Sequence, residues 1–153
     1  MSQLINASLG KRLLAIIYDL LIVFFLSFII TLIIQTLIIQ MNLVDLESVQ
    51  ISKTESVLAI PITSPINTFL RSLWLFIPFL YFVYYWTKHS RTLGMKVWKI
   101  KVISTNQVAI TGLQSAIRWV SALFGLGYLW MTVDKDHLPL QDRLSKTRLI
   151  KVE

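Results

Sequence analysis

Cysteine is absent from the 153-residue chain. Disulfides, thiolate nucleophiles and iron–sulfur clusters are therefore excluded, and the redox compartment leaves no mark on the sequence. Charge is scarce as well: 15% of the residues are Asp, Glu, Lys or Arg, against about 25% in an ordinary soluble domain. The acidic share is the smaller, eight residues against 15 basic ones, which gives a formal charge of +7. No order of Ser, His and Asp suggests nucleophilic catalysis, and no ligand spacing suits zinc. Gly94 with Lys96 is too little for a phosphate-binding loop. These absences argue against an enzyme, a cofactor and a metal centre.

Apolar residues are plentiful, at 55% of the chain. The run Leu13–Ile34 consists almost entirely of Leu, Ile, Val, Phe and Ala, and it exceeds the roughly 20 residues that cross a bilayer core about 30 Å thick. We expect a retained transmembrane helix over 11–39. A cleaved signal peptide has an apolar region of only about 7–15 residues and a small-residue cleavage site after it. Thr31 and Gln35, one turn apart in its second half, suit a helix–helix hydrogen bond or closeness to the far interface. Segment 41–67 carries Asp45, Glu47, Glu55, a single Lys53, Pro61 and Pro65. It reads as a connecting loop with an interfacial turn near Val57–Ile60. A second span follows over 68–86, kinked at Pro78, which lacks a backbone donor. Tyr81, Phe82, Tyr84, Tyr85 and Trp86 resemble an interfacial aromatic belt, with His89 interfacial beyond them. Arg71 stands near the opposite end, where it can snorkel.

The basic residues set an orientation. Lys11 and Arg12 precede the first span, and only Lys53 lies between the spans. Lys88, Arg91, Lys96, Lys99 and Lys101 follow the second. Short basic loops stay inside, so the N-terminus is expected in the cytoplasm and the 41–67 loop outside. This distribution beside apolar segments fits anionic lipid head groups better than nucleic acid. Segment 112–133 is apolar apart from Arg118. A full crossing there would export a tail, 134–153, that carries Lys135, Arg143, Lys146, Arg148 and Lys151. We therefore expect a broken, re-entrant or steeply interfacial hairpin, with Gly125 and Gly127 at its break; a plain third span is the alternative. In the cytoplasmic loop 87–111, Lys96–Ser104 is rich in β-branched residues, as is Arg148–Val152 in the tail. The two are expected to pair as short strands. Asn106 suits a turn and Thr111 a helix N-cap. The expected fold class is an all-α membrane protein in one domain, 1–153, with two spans, a broken third segment and a small cytoplasmic two-stranded β element.

Asp19 is the costliest residue in this scheme. A carboxylate within a span costs about 2.5–3.5 kcal/mol and should face protein or water with a partner. Arg12, seven residues earlier, shares its helix face about 10 Å away along the axis. Asp19 can hold a cation or accept a proton; equally, it can pair with Arg118 to dock the third segment. Arg12 suits snorkelling or a pair with Asp142, and Asp142, among basic residues, suits a salt bridge or a cap. Asp134, Asp136 and His137 form a small acidic cluster, read as a solvated turn rather than a metal site.

Taken in order, several motifs resemble the RDD family of small bacterial membrane proteins. Arg12 and Asp19 match its first two signature residues. Thr92-Leu93-Gly94-Met95-Lys96 looks like its threonine–glycine–lysine segment after the second helix. Leu140-Gln141-Asp142-Arg143-Leu144-Ser145-Lys146-Thr147 is similar to its closing motif, with Asp142 as the final aspartate. Gln141 stands where histidine or glycine is common, and Leu93 replaces the usual proline. The likeness covers Leu9 to Val152. It implies a multi-pass protein of the bacterial inner membrane. It also implies transport of an unidentified ligand or ion, cation/proton exchange being suggested for some members. Two or three segments leave little room for a pathway, so transport calls for a homo-oligomer or a membrane partner; an accessory or interaction protein with structural charges is the alternative. From the charge distribution, a C-terminal reporter active only in the periplasm is expected to stay silent. Strong activity would favour three full spans.

Overall fold

The computed structural model describes residues 6–50, 56–106, 109–122, 127–128, 130 and 138–152. Its elements are α1 (Leu9–Gln40), β1 (Glu47–Gln50), β2 (Ser56–Ala59), α2 (Pro65–His89), α3 (Leu93–Val97), β3 (Ile100–Ser104), α4 (Gly112–Ala122), α5 (Leu140–Leu144) and β4 (Thr147–Lys151). Contacts divide the chain into two compact units. One comprises Met1–Ile22 with Phe79–Glu153, the other Val23–Pro78.

Helix α1 contains neither Gly nor Pro after Gly10, and nothing in its interior interrupts it. It stops in a Schellman motif: Asn42, at φ 51°, donates to the Ile39 carbonyl, and Leu43 donates to that of Ile38. Helix α2 begins with Pro65 at its first position, where a missing N–H costs nothing, behind Ser64, whose Oγ accepts from Ile66 N at 3.3 Å. It continues through Pro78 and ends before Ser90, which adopts φ 56°. At 32 and 25 residues, α1 and α2 are long and apolar enough to cross a membrane. They overrun the expected 11–39 and 68–86 by a few residues at their ends.

Both helices are apolar on the outside. The most apolar stretches of α1 and α2 are only 22% and 11% buried. On α1 the buried positions are Arg12, Ala15, Asp19, Val23 and Ser27, three or four residues apart and so on one face, while Leu13, Leu14, Ile17, Leu20, Leu21, Phe24 and Phe25 are exposed. Helix α4 has the same inversion: Ser115, Arg118 and Ser121 are buried, and Leu113, Ile117 and Val120 are exposed. At 11 residues α4 extends about 16 Å, half a hydrocarbon core. The remainder of the expected hairpin or third span lies largely outside the described residues, Gly125 included.

In the unit that contains both termini, β3 and β4 pair antiparallel from Ile100 opposite Lys151 to Ser104 opposite Thr147. The pairing matches the expected element, with β4 one residue earlier than Arg148–Val152. Ile100, Val102 and Leu149 are fully buried and pack with Ala7, Ala15, Trp86, Met95 and Ile110. The expected strand over Lys96–Ser104 is corrected in its first half. Residues up to Val97 wind into α3, and Lys99, at φ 52°, turns the chain into β3. Thr111 caps α4 as expected: its Oγ accepts from Gln114 N at 3.3 Å, and Gln114 Oε1 accepts from Thr111 N at 3.1 Å. Asn106 falls in a turn.

In the unit Val23–Pro78, β1 and β2 form an antiparallel hairpin, Glu47 opposite Ala59. This corrects the interfacial turn expected near Val57–Ile60. Four-residue runs carry little local signal, and each becomes a strand through its partner. Phe24 meets Trp74 edge-on at 5.6 Å between centroids. From the packing of the first unit, Leu149→Ala is expected to lower stability by about 2–5 kcal/mol, read by denaturant unfolding of the purified protein in detergent.

Candidate functional site

Among the described residues the buried Asp, Glu, Lys and Arg side chains are Arg12, Asp19, Arg118 and Asp142, all at most 2% exposed and all in the terminus-containing unit. Two positive and two negative groups sum to zero with both carboxylates ionised. They form two separate constellations.

The first is built on Asp142. Its Oδ2 accepts from Arg12 Nη1 at 2.7 Å, and its Oδ1 accepts from Arg118 Nη1. Helix α5 positions the carboxylate, the start of α1 supplies Arg12 and the middle of α4 supplies Arg118. The same Arg118 nitrogen donates to Thr147 Oγ1 at 2.6 Å, and the guanidinium carbon lies 5.2 Å from the centroid of the Trp86 ring. Arg12 also donates from Nε to the Ala7 carbonyl at 2.9 Å, and its Nη2 lies 3.5 Å from the Leu149 carbonyl. One carboxylate thus joins α1, α4 and α5, and its two arginines reach on to β4. Gly127 permits the close approach of α5: a Cβ there would strike Gln141 Oε1 and come within 2.9 Å of the Ser121 carbonyl.

The second is built on Asp19. Its Oδ1 accepts from Tyr81 Oη at 2.9 Å and from Gly94 N at 2.8 Å, and its Oδ2 accepts from Thr92 Oγ1. Thr92 Oγ1 in turn accepts from Met95 N at 3.2 Å, as the N-cap of α3. The carboxylate therefore satisfies one orphan donor at the start of α3, Gly94 N, where negative charge is favoured. This distant cap winds residues 93–97 into a helix. Gly94 is required because a Cβ would strike the Ala15 carbonyl and lie 2.9 Å from Asp19 Cγ.

The expected Asp19–Arg118 pair is therefore corrected. Arg118 is committed to Asp142 and Thr147, and Asp19 is held by neutral donors. Asp19 lies about 10 Å beyond Arg12 along α1, beside the start of α3 rather than beside α5. Arg12 pairs with Asp142, one of its two expected roles, and Asp142 acts as the hub of a salt bridge. Sequence reading missed Tyr81, Thr92, Trp86 and Thr147 as partners. Tyr81 and Trp86, only 7% and 5% exposed, leave the expected aromatic belt for the interior. Asp134, Asp136 and His137 lie outside the described residues, and no group of three metal-ligating side chains gathers among the described ones.

The chain matches the RDD family over residues 6–146 and belongs to that family. No curated protein and no solved structure gives a significant match. The match includes both constellations' carboxylates and both arginines.

Removing the hub leaves two buried guanidinium groups facing each other. Asp142→Asn is expected to cost about 3–5 kcal/mol of stability, read by denaturant unfolding in detergent.

Proposed function

We propose that the protein is an integral, multi-pass protein of the bacterial inner membrane. In this reading α1 and α2 span the bilayer, the N-terminus is cytoplasmic and the buried charges are structural. Its role is then that of a membrane accessory or interaction protein without enzymatic activity, acting through the bilayer and a membrane partner or a second copy. The observation that supports insertion is the inversion of α1 and α4: hydroxyls and charges inward, large apolar side chains outward. In water such helices would expose the surface that normally drives folding; in lipid that surface is solvated and the polar groups require protein partners.

The structural role of the charges rests on Asp19. Three hydrogen bonds from fixed donors occupy its two oxygens, which favours an anchor over an ion-binding group. Transport of a small ligand or ion by a homo-oligomer, including cation/proton exchange, is the second reading. One observation favours it: Ser27, Thr31 and Gln35 follow one another every four residues along α1, and the hydroxyls of Ser27 and Thr31 are buried without a hydrogen-bond partner.

Asp19→Asn separates the two. An amide NH2 cannot accept, so buried donors at the start of α3 lose a partner, at about 1–3 kcal/mol. The anchor reading expects lower stability in detergent and no ion flux into liposomes by the wild type above empty liposomes. A variant as stable as the wild type, combined with a wild-type flux that the substitution abolishes, would establish transport.

A further inference from the structure

A cleft of about 280 Å³ lies within the unit Val23–Pro78. Its two walls are helical faces. Asn67, Arg71 and Trp74 come from α2 at spacings of four and three, and Thr31 and Gln35 come from α1 at a spacing of four; Ile60, just after β2, closes one side. Among the described residues, the groups facing this cleft are rich in unused donors. With the described residues Arg71 makes no ion pair and no hydrogen bond, although Asp45 and Glu47 lie in the neighbouring segment and 25 residues of α2 offer backbone carbonyls. Gln35 is unbonded too.

Thr31 sharpens the point. Three hydroxyls on these helices bond back to the preceding turn: Thr36 to the Leu32 carbonyl at 2.8 Å, Ser72 to that of Phe69 at 2.7 Å, Thr87 to that of Val83 at 2.7 Å. The Thr31 hydroxyl is buried and makes no such bond. Among the described wall residues Asn67 is already engaged, donating to the carbonyls of Ile60 and Pro61 at 3.4 and 3.2 Å. Among the described residues, no carboxylate lines the cleft.

We propose that this cleft binds a phosphate-type anion, with the Arg71 guanidinium as its charged ligand and Gln35 and Thr31 as additional donors. A guanidinium presents a planar fork that matches two phosphate oxygens. The volume is at the small end of ligand sites, sufficient for a headgroup or a small anion rather than a large solute. Arg71 lies about 9 Å along α2 from Pro65, the depth at which a spanning helix passes the headgroup layer. A lipid phosphodiester and a free phosphate share this chemistry. The inference rests on the membrane reading only for the supply of lipid.

The test uses the full chain purified in detergent. Binding of inorganic phosphate and of a short-chain phosphatidylglycerol is measured by calorimetry for the wild type, Arg71→Gln and Arg71→Lys. Arg71 is exposed and unbonded, so unfolding temperatures of the three should agree, which keeps a loss of binding separate from a loss of fold. The wild type is expected to bind at least one of the two anions. Arg71→Gln should weaken that binding at least tenfold, and Arg71→Lys by less, since it keeps the charge without the fork. Binding of phosphatidylglycerol alone assigns the cleft to lipid; comparable binding of inorganic phosphate assigns it to a free anion. Binding of neither anion, or equal binding by Arg71→Gln, overturns the proposal. Retention of the chain in carbonate-washed membranes is read in parallel, so failure of the anion site and failure of insertion are distinguishable.

Discussion

A carboxylate or guanidinium withdrawn from water forfeits several kcal/mol of hydration, and only well-placed partners return it. Four such groups lie in one unit of this chain, and the arrangement of that unit follows from how each is satisfied. Asp142 takes one arginine on each oxygen. Asp19, too far along α1 to share those arginines, takes a tyrosine hydroxyl, a threonine hydroxyl and a backbone N–H. The consequence is mechanical: segments 130 and 137 residues away in sequence are tied to Arg12 in the first turn of α1.

Secondary structure depends on the same contacts. Helix α3 is capped because Tyr81, Asp19 and Thr92 receive the N–H groups of Leu93, Gly94 and Met95, and it is followed by a left-handed Lys99 that aims β3 at β4. The sheet then presents Ile100, Val102 and Leu149 to Ala15 and Trp86, and Trp86 lies against the guanidinium of Arg118. Charge network and apolar core are thus interleaved rather than stacked. A loss in one should loosen the other, and the apolar outer faces of α1, α2 and α4 leave this inner packing as the main protein–protein cohesion in the unit.

Much of this was legible in the sequence. Long apolar runs have few alternatives to a helix, so α1, free of Gly and Pro after Gly10, and α2, despite Pro78, could be read to within a few residues. Alternating β-branched residues marked β3 and β4, and a buried aspartate demanded partners. Pairing was less legible because it is decided in three dimensions. Charge and the lean of helical side chains toward the cytoplasmic side allow Arg118 to reach Asp19, whereas the folded chain gives it to Asp142. Tyr81 was hidden among five aromatics that look alike in sequence, and only its contact with Asp19 sets it apart. The β1–β2 hairpin, made of two four-residue runs, has no local signature strong enough to read.

The central claim is that the buried charges act as a mutually dependent structural set. Its most direct measurement is a cycle of apolar replacements, Asp142→Leu, Arg118→Met and Arg12→Met, singly and together, with stability read by denaturant unfolding in detergent. A structural set predicts strong non-additivity: removing Asp142 alone costs several kcal/mol because two guanidinium groups stay buried and unpaired, and removing all three recovers much of that loss. Losses that sum across the three sites, or an Asp142→Leu protein as stable as the wild type, would contradict it.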